Sequence, residues 1–278
     1  MPAAARHAHL AFILACIIME SGCALLTRHS SLPAPNLKTN DTQNKPLRGV
    51  IVILDPGHGG EDSGAVCSTA SEAALTYRMA AETARCLREQ GASVVFTVRS
   101  ATLSPVQATT EPPVTLPRDA VMVSTGLPLR SRHSSLPLWQ RAALARYLWK
   151  IQLKTDSHAA RDVFFISLHY DDFSVSGVSG SIVCVDRREQ RIPRLAVQIA
   201  EDLNSGHWNR RCNYRGLTGV SGRRLGVLDP KYNPVPEKIL LEVATLSNPQ
   251  DALQASDPVW RWEMAKRITR SVIGAHEQ

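Results

Sequence analysis

What most restricts the fold of this chain is a pair of apolar strands that each end in a histidine. Ile51–Leu54 runs into Asp-Pro-Gly-His58-Gly-Gly, and Val163–Leu168 delivers His169. Pro56 and the glycines end the first strand and leave room for a metal or a substrate beside the His58 imidazole. A third strand, Lys238–Val243, is apolar except for Glu242, whose carboxylate is costly to bury unless it is paired or working. In open α/β sheets ligands collect outside the carboxyl ends of the strands, so these three residues are expected at one edge.

Helical patterns run over about Ser71–Gln90, Leu138–Gln152, Pro193–Asn204 and Pro258–Ala275, and two more strands over Val94–Val98 and Ser181–Val185. The alternation predicts an α/β fold: a single domain with a twisted, mostly parallel sheet, helices on both faces and βαβ units joined by right-handed crossovers. In the last helix Trp260, Met264, Ile268 and Val272 recur every four residues, a core-packing stripe. Residues 101–136, rich in Pro, Ser and Thr, are expected to be a loop insertion, either a solvated loop or a contributor to substrate or partner binding. Residues 24–47 are polar and contain Pro, which predicts a flexible tether before a catalytic domain over 48–278.

Glu72 opens the first helical pattern, in which Leu75, Met79, Cys86 and Leu87 share a face. Thr69-Ala-Ser-Glu72 fits a capping box, with Glu72 reaching back to the N-cap amide. As a ligand instead, Glu72 joins His58 and His169 to make the three protein ligands of a catalytic zinc, whose fourth position stays open for water. Glu242 is then free to act as a base.

Four segments in order carry a family resemblance: Leu54-Asp-Pro-Gly-His-Gly-Gly-Glu-Asp-Ser-Gly-Ala65, Glu72, Phe165-Ile-Ser-Leu-His169, and Leu240-Leu-Glu-Val-Ala-Thr-Leu-Ser-Asn-Pro249. A fifth, Leu138-Trp-Gln-Arg-Ala-Ala-Leu-Ala145, resembles the family's L-x-x-R-x-x-x-A helix. Over about residues 48 to 275 the chain resembles the zinc-dependent N-acetylmuramoyl-L-alanine amidases of the Amidase_3 type. The resemblance implies one zinc ion per chain held by His58, Glu72 and His169 at the carboxyl ends of the strands, with Glu242 as the catalytic glutamate. It implies peptidoglycan as substrate and cleavage of the amide between N-acetylmuramic acid and L-alanine. A zinc peptidase cutting within the stem peptide and a non-catalytic envelope-binding protein are the alternatives. Tyr170 and Asp171 stand where the family usually has a small residue and Asn, and Val243-Ala-Thr245 replaces its x-Gly-Phe; Tyr170 and Thr245 flank the catalytic positions and bear on the shape of the substrate groove. Some members insert a helix after the second histidine that blocks the zinc until a partner displaces it. Here Asp171 to Arg194 is short, so no activator protein is expected.

Export is read from the other end. Arg6 precedes the apolar run Leu10–Met19, too short to span a bilayer and suited to a signal peptide over residues 1–23. Glu20-Ser-Gly-Cys23 ends as a bacterial lipobox does, although Glu20 occupies an aliphatic position; cleavage near Gly22 or Ala24 without lipid and an uncleaved anchor are the alternatives. The expectation is a periplasmic protein with a lipid on Cys23, and Ala24 after the cysteine favours the outer membrane. Cys67, Cys86, Cys184 and Cys212 lack the paired spacing of a structural zinc site and are expected as buried thiols. The net charge of +7 is scattered, and no basic stripe interleaved with aromatics points to nucleic acid.

Overall fold

The five runs expected as strands are all strands, and apart from Val98 they assemble into one sheet. The computed structural model describes residues 45–67, 70–99, 121–122, 136–155, 162–172, 178–203 and 212–278; the apolar run over 10–19, Cys23 and nearly all of the expected tether lie outside the described residues. In chain order the elements are β1 (Ile51–Pro56), α1 (Glu72–Glu89), β2 (Ser93–Phe96), β3 (Val98–Arg99), β4 (Val121–Met122), α2 (Leu136–Thr155), β5 (Val163–Asp171), β6 (Ile182–Asp186) and α3 (Arg194–Leu203). They continue with β7 (Asn213–Tyr214), β8 (Leu217–Thr218), β9 (Val220–Arg223), β10 (Glu237–Thr245), α4 (Pro249–Ser256) and α5 (Pro258–His276).

The main sheet has the order β2-β1-β5-β10-β6-β9. β2, β1, β5 and β10 run parallel, with Leu54 opposite Ile166 and Glu242 opposite His169. β6 reverses: it pairs antiparallel with β10, Leu240 opposite Cys184, and β9 then follows β6 in parallel. The sheet is thus mostly parallel, as expected, and the cause of its one antiparallel pairing is length. Only residues 172–181 join β5 to β6, fewer than the dozen or so that a parallel crossover needs.

Both faces of the sheet are buried. Phe164, Ile166, Leu168, Ile239 and Leu241 pack under α1, α3 and α5. Phe165, Val163, Ile53 and Leu240 face the other way, against α2 and the short turn of 3-10 helix at Gly226–Leu228. Phe164 and Phe165 are both fully buried on opposite faces, each contributing on the order of 2 kcal/mol, so neither layer can be removed cheaply. The stripe of α5 is in the core as expected, with Met264, Ile268 and Val272 buried and Trp260 partly so.

The helix starts follow local chemistry. Ser71 caps α1 through the Ala74 amide, Asn248 caps α4 through the Gln250 and Asp251 amides, and Asp257 caps α5 through Val259; Pro249 and Pro258 take the first helical positions of α4 and α5. α4 was not expected from periodicity. Leu47, expected at the end of the tether, is fully buried and its N–H bonds the Gln90 carbonyl, so the domain begins before residue 48. Within the expected insertion Val121–Met122 pairs with Val98–Arg99, and α2 starts at Leu136; the remaining residues of 101–135 lie outside the described residues. Cys67, Cys86, Cys184 and Cys212 form no disulfide, but only Cys86 and Cys184 are buried.

Candidate metal centre

The carboxyl edge of the parallel strands brings His58, Glu72 and His169 together, with one ligand atom of each inside a 4.8 Å group. His58 sits just past β1, and the β1–β5 ladder extends to it through the Gly57 N–H on the Leu168 carbonyl at 2.8 Å. His169 lies near the end of β5. Their ring centroids are 4.9 Å apart at 73°. Gly57 is what permits this approach: a Cβ there would stand 2.4 Å from Cε1 of His169. Gly64 does the same on the other side, where a Cβ would meet Glu72 Oε2 at 2.5 Å and His58 Cδ2 at 2.8 Å.

Glu72 is the hub. Its Oε1 lies 3.0 Å from His58 Nε2 and 3.1 Å from His169 Nδ1, and accepts the Tyr170 N–H at 3.0 Å; its Oε2 accepts the Ala65 N–H. The capping-box reading fails here because Ser71, not Thr69, is the N-cap, which puts Glu72 at the first helical position, aimed at the imidazoles. Burial alone would raise the Glu72 carboxyl, but hydrogen bonds from His169 and His58 hold it far below the usual range. Burial would lower His58, yet its hydrogen bonds to Asp62 and Glu72 raise it to about 9. Asp62 Oδ2 takes His58 Nδ1 at 3.0 Å, the second carboxylate that commonly orients a ligand histidine.

Two imidazole nitrogens and a carboxylate oxygen form the donor set of a catalytic zinc, and the two glycines leave these side chains room to converge. The residues therefore fit the ion that the sequence implies.

Glu242 stands opposite His169 in the β10–β5 register, so both side chains project from the same sheet face. It is buried, and no donor among the described residues reaches its carboxylate; burial pushes its pKa up to about 7. Nearby, Asp171 Oδ2 is buried without a hydrogen bond, 3.8 Å from Arg223 Nη2. The two residues expected to shape a groove do not line one. Strand alternation turns Tyr170 to the opposite face, into the core beneath the helices, and Thr245 is fully buried between Asp251 and Gly180.

Sequence reasoning missed Asp62 and Arg223. Asp62 had a signal, lying four residues after His58 in the same glycine-rich run, whereas Arg223 had none because it reaches the site only through the fold.

The N-acetylmuramoyl-L-alanine amidase family pattern matches residues 52–274. A germination-specific N-acetylmuramoyl-L-alanine amidase of Bacillus subtilis is 26% identical over 228 residues, 82% of this chain and 80% of that protein. A probable cell wall amidase, LytH, of Staphylococcus epidermidis is 25% identical over 86% of this chain and 62% of its own length. Among solved structures, the amidase Ami1 of Mycobacterium smegmatis superposes with a TM-score of 0.56 at 18% identity, over 83% of this chain and 98% of that one. The CwlD amidase of Clostridioides difficile, solved in complex with the GerS lipoprotein, gives 0.55 at 20% identity, over 81% of this chain and 98% of that one. At these identities the two structures share the fold with this chain.

Proposed function

The chain belongs to the N-acetylmuramoyl-L-alanine amidase family, and from that premise we propose that it hydrolyses the amide joining N-acetylmuramic acid to the L-alanine of the peptidoglycan stem with one zinc ion held by His58, Glu72 and His169. The observation that carries this reading is the convergence of those three donors beside the buried carboxylate of Glu242. Zinc, when bound, supplies Lewis acidity that readies a water for attack near pH 7 and polarises the scissile carbonyl.

The chain's own residues do the rest. Glu242 takes the proton of the attacking water and returns it to the leaving nitrogen, a task suited to a carboxyl poised near 7. Asp62 fixes the ring of His58, and Glu72 is itself fixed by the Ala65 and Tyr170 amides. No activator is required in this reading; between Asp171 and Arg194 the described residues hold one strand and no helix that would block the centre.

We further propose export to the periplasm and a lipid on Cys23 anchoring the protein to the outer membrane, on the strength of the apolar run over 10–19 and the Gly-Cys that follows. Fatty-acid labelling tests this, because a Cys23→Ala protein that still labels excludes the site.

Mass spectrometry of peptidoglycan digested by the purified protein tests the chemistry. Free stems headed by L-alanine, lost with chelator and in Glu242→Ala, are expected without any second protein. Shortened stems still attached to muramic acid would make it a peptidase, and a product that survives chelation would remove zinc from the account.

A further inference from the structure

The L-x-x-R helix has no part in the chemistry above, yet its arginine is among the most constrained side chains of the molecule. Arg141, on α2, is 4% exposed. Its Nη1 donates to Asp55 Oδ1 at 2.6 Å and to the Pro56 carbonyl at 2.5 Å, and its Nη2 donates to the His58 carbonyl at 2.6 Å. Asp55 is equally buried and also accepts from Ser167 Oγ at 2.7 Å and from Thr97 Oγ1. The carbonyl between the two that Arg141 holds, that of Gly57, accepts from Thr76 Oγ1 at 3.0 Å. Three successive carbonyls thus each have a donor within reach, the Thr76 hydroxyl being shared with the Ala73 carbonyl at 3.1 Å.

The residue these bonds surround has an uncommon backbone. His58 has φ +61°, one of two positive values at non-glycine positions among the described residues. Such a conformation persists where the surroundings over-determine it. Arg141 reaches both flanking carbonyls at once because a guanidinium is a planar fork, which a lysine ammonium cannot reproduce.

We propose that Arg141, assisted by Thr76, is a positioning residue for the metal centre: it locks the turn at 56–58 so that the His58 imidazole meets the ion without rearrangement. This rests on reading His58, Glu72 and His169 as the zinc site. The α2 helix is thereby tied to the first histidine loop, and the buried charge of Asp55 balances the guanidinium in the space between them.

The test uses the full chain as wild type, Arg141→Lys, His58→Ala and the double variant. Zinc affinity is read by competition with a chromophoric chelator, ligand geometry by the visible spectrum of the cobalt(II)-loaded protein, and folding by circular dichroism. Arg141→Lys should weaken zinc by about 10–100-fold and alter the cobalt bands in folded protein, the range typical of residues that orient a ligand. On the His58→Ala background the same change should add nothing. Wild-type affinity and spectrum in Arg141→Lys, or an equal loss on both backgrounds, would overturn the proposal. Should Arg141→Lys fail to fold, Thr76→Val is measured instead: about tenfold weaker zinc is expected, and unchanged affinity overturns the idea that anchoring these carbonyls matters. A wild type that takes up neither metal would sink the zinc reading itself and this inference with it.

Discussion

Adding a single methyl group at Gly57 should disable the metal centre while leaving the fold in place. Gly57 has no positive φ, so alanine suits its backbone and the effect is purely steric. The new Cβ would lie 2.4, 2.5 and 2.7 Å from Cε1, Nε2 and Nδ1 of His169. Neither partner can yield easily, because the Gly57 N–H and carbonyl are bonded to Leu168 and Thr76 and the imidazole is bonded to Glu72. Restoring ordinary contact takes a displacement of about 1 Å, several times the ~0.2 Å that a zinc–nitrogen bond tolerates. Overpacking of this kind costs about 1–3 kcal/mol, or roughly 2–4 °C of melting temperature per kcal/mol for a domain of this size. Zinc affinity should fall at least as far as it does when an orienting residue is lost, about 100-fold. Chelator competition measures it, with melting of the metal-free protein alongside. Gly226→Ala is the control, since a Cβ there meets only Leu138 at an ordinary 3.4 Å. A folded Gly57→Ala protein that binds zinc within a factor of about three of wild type would refute the geometry.

Two predictions concern protons. Burial raises Glu242 to about 7, with His169 opposing and Asp171 and Glu72 adding, so the native carboxyl keeps a proton that the unfolded chain releases near 4.5. Stability should therefore fall as pH rises through that window. Glu242→Gln should melt higher than wild type without metal at pH 8 and show no such gain at pH 4; parallel pH profiles for the two would contradict this. His58, raised to about 9, must lose its proton before it can bind metal. Zinc affinity should climb about tenfold per pH unit up to about 9, and the stability contribution of the imidazolium in metal-free protein should be full below 6.5 and fade as pH passes 9. Calorimetry across pH 6–10 reads both, and an affinity already flat at pH 7 would show that His58 carries no such proton.

The parallel half of the sheet was legible because strands buried on both faces are written as unbroken apolar runs, as in Val163–Leu168. His58, His169 and Glu242 could be read as neighbours because each ends or nearly ends such a run. β9, which contains Ser221, Gly222 and Arg223 and is only partly buried, carries no such pattern. The direction of β6 is set by the length of the chain before it, which periodicity does not encode. Glu72 was ambiguous for a physical reason: a glutamate at a helix start serves a cap or a cation equally well, and only the position of the N-cap separates them. Tyr170 shows the opposite error, because adjacency to His169 in a strand guarantees the other face.

The sheet order has a consequence for how the protein comes into being. β10 lies between β5 and β6 although it is made after both, so the strand that joins the two sides of the sheet is the last of its six to leave the ribosome. Until residues 237–245 arrive, β5 and β6 each expose a row of unpaired peptide groups on an apolar strand, the surface by which chains aggregate. Glu242 travels on that closing strand, so a chain interrupted before it lacks both the seam of its sheet and the carboxylate proposed to move the proton, and in that reading no hydrolase can act from an unfinished molecule.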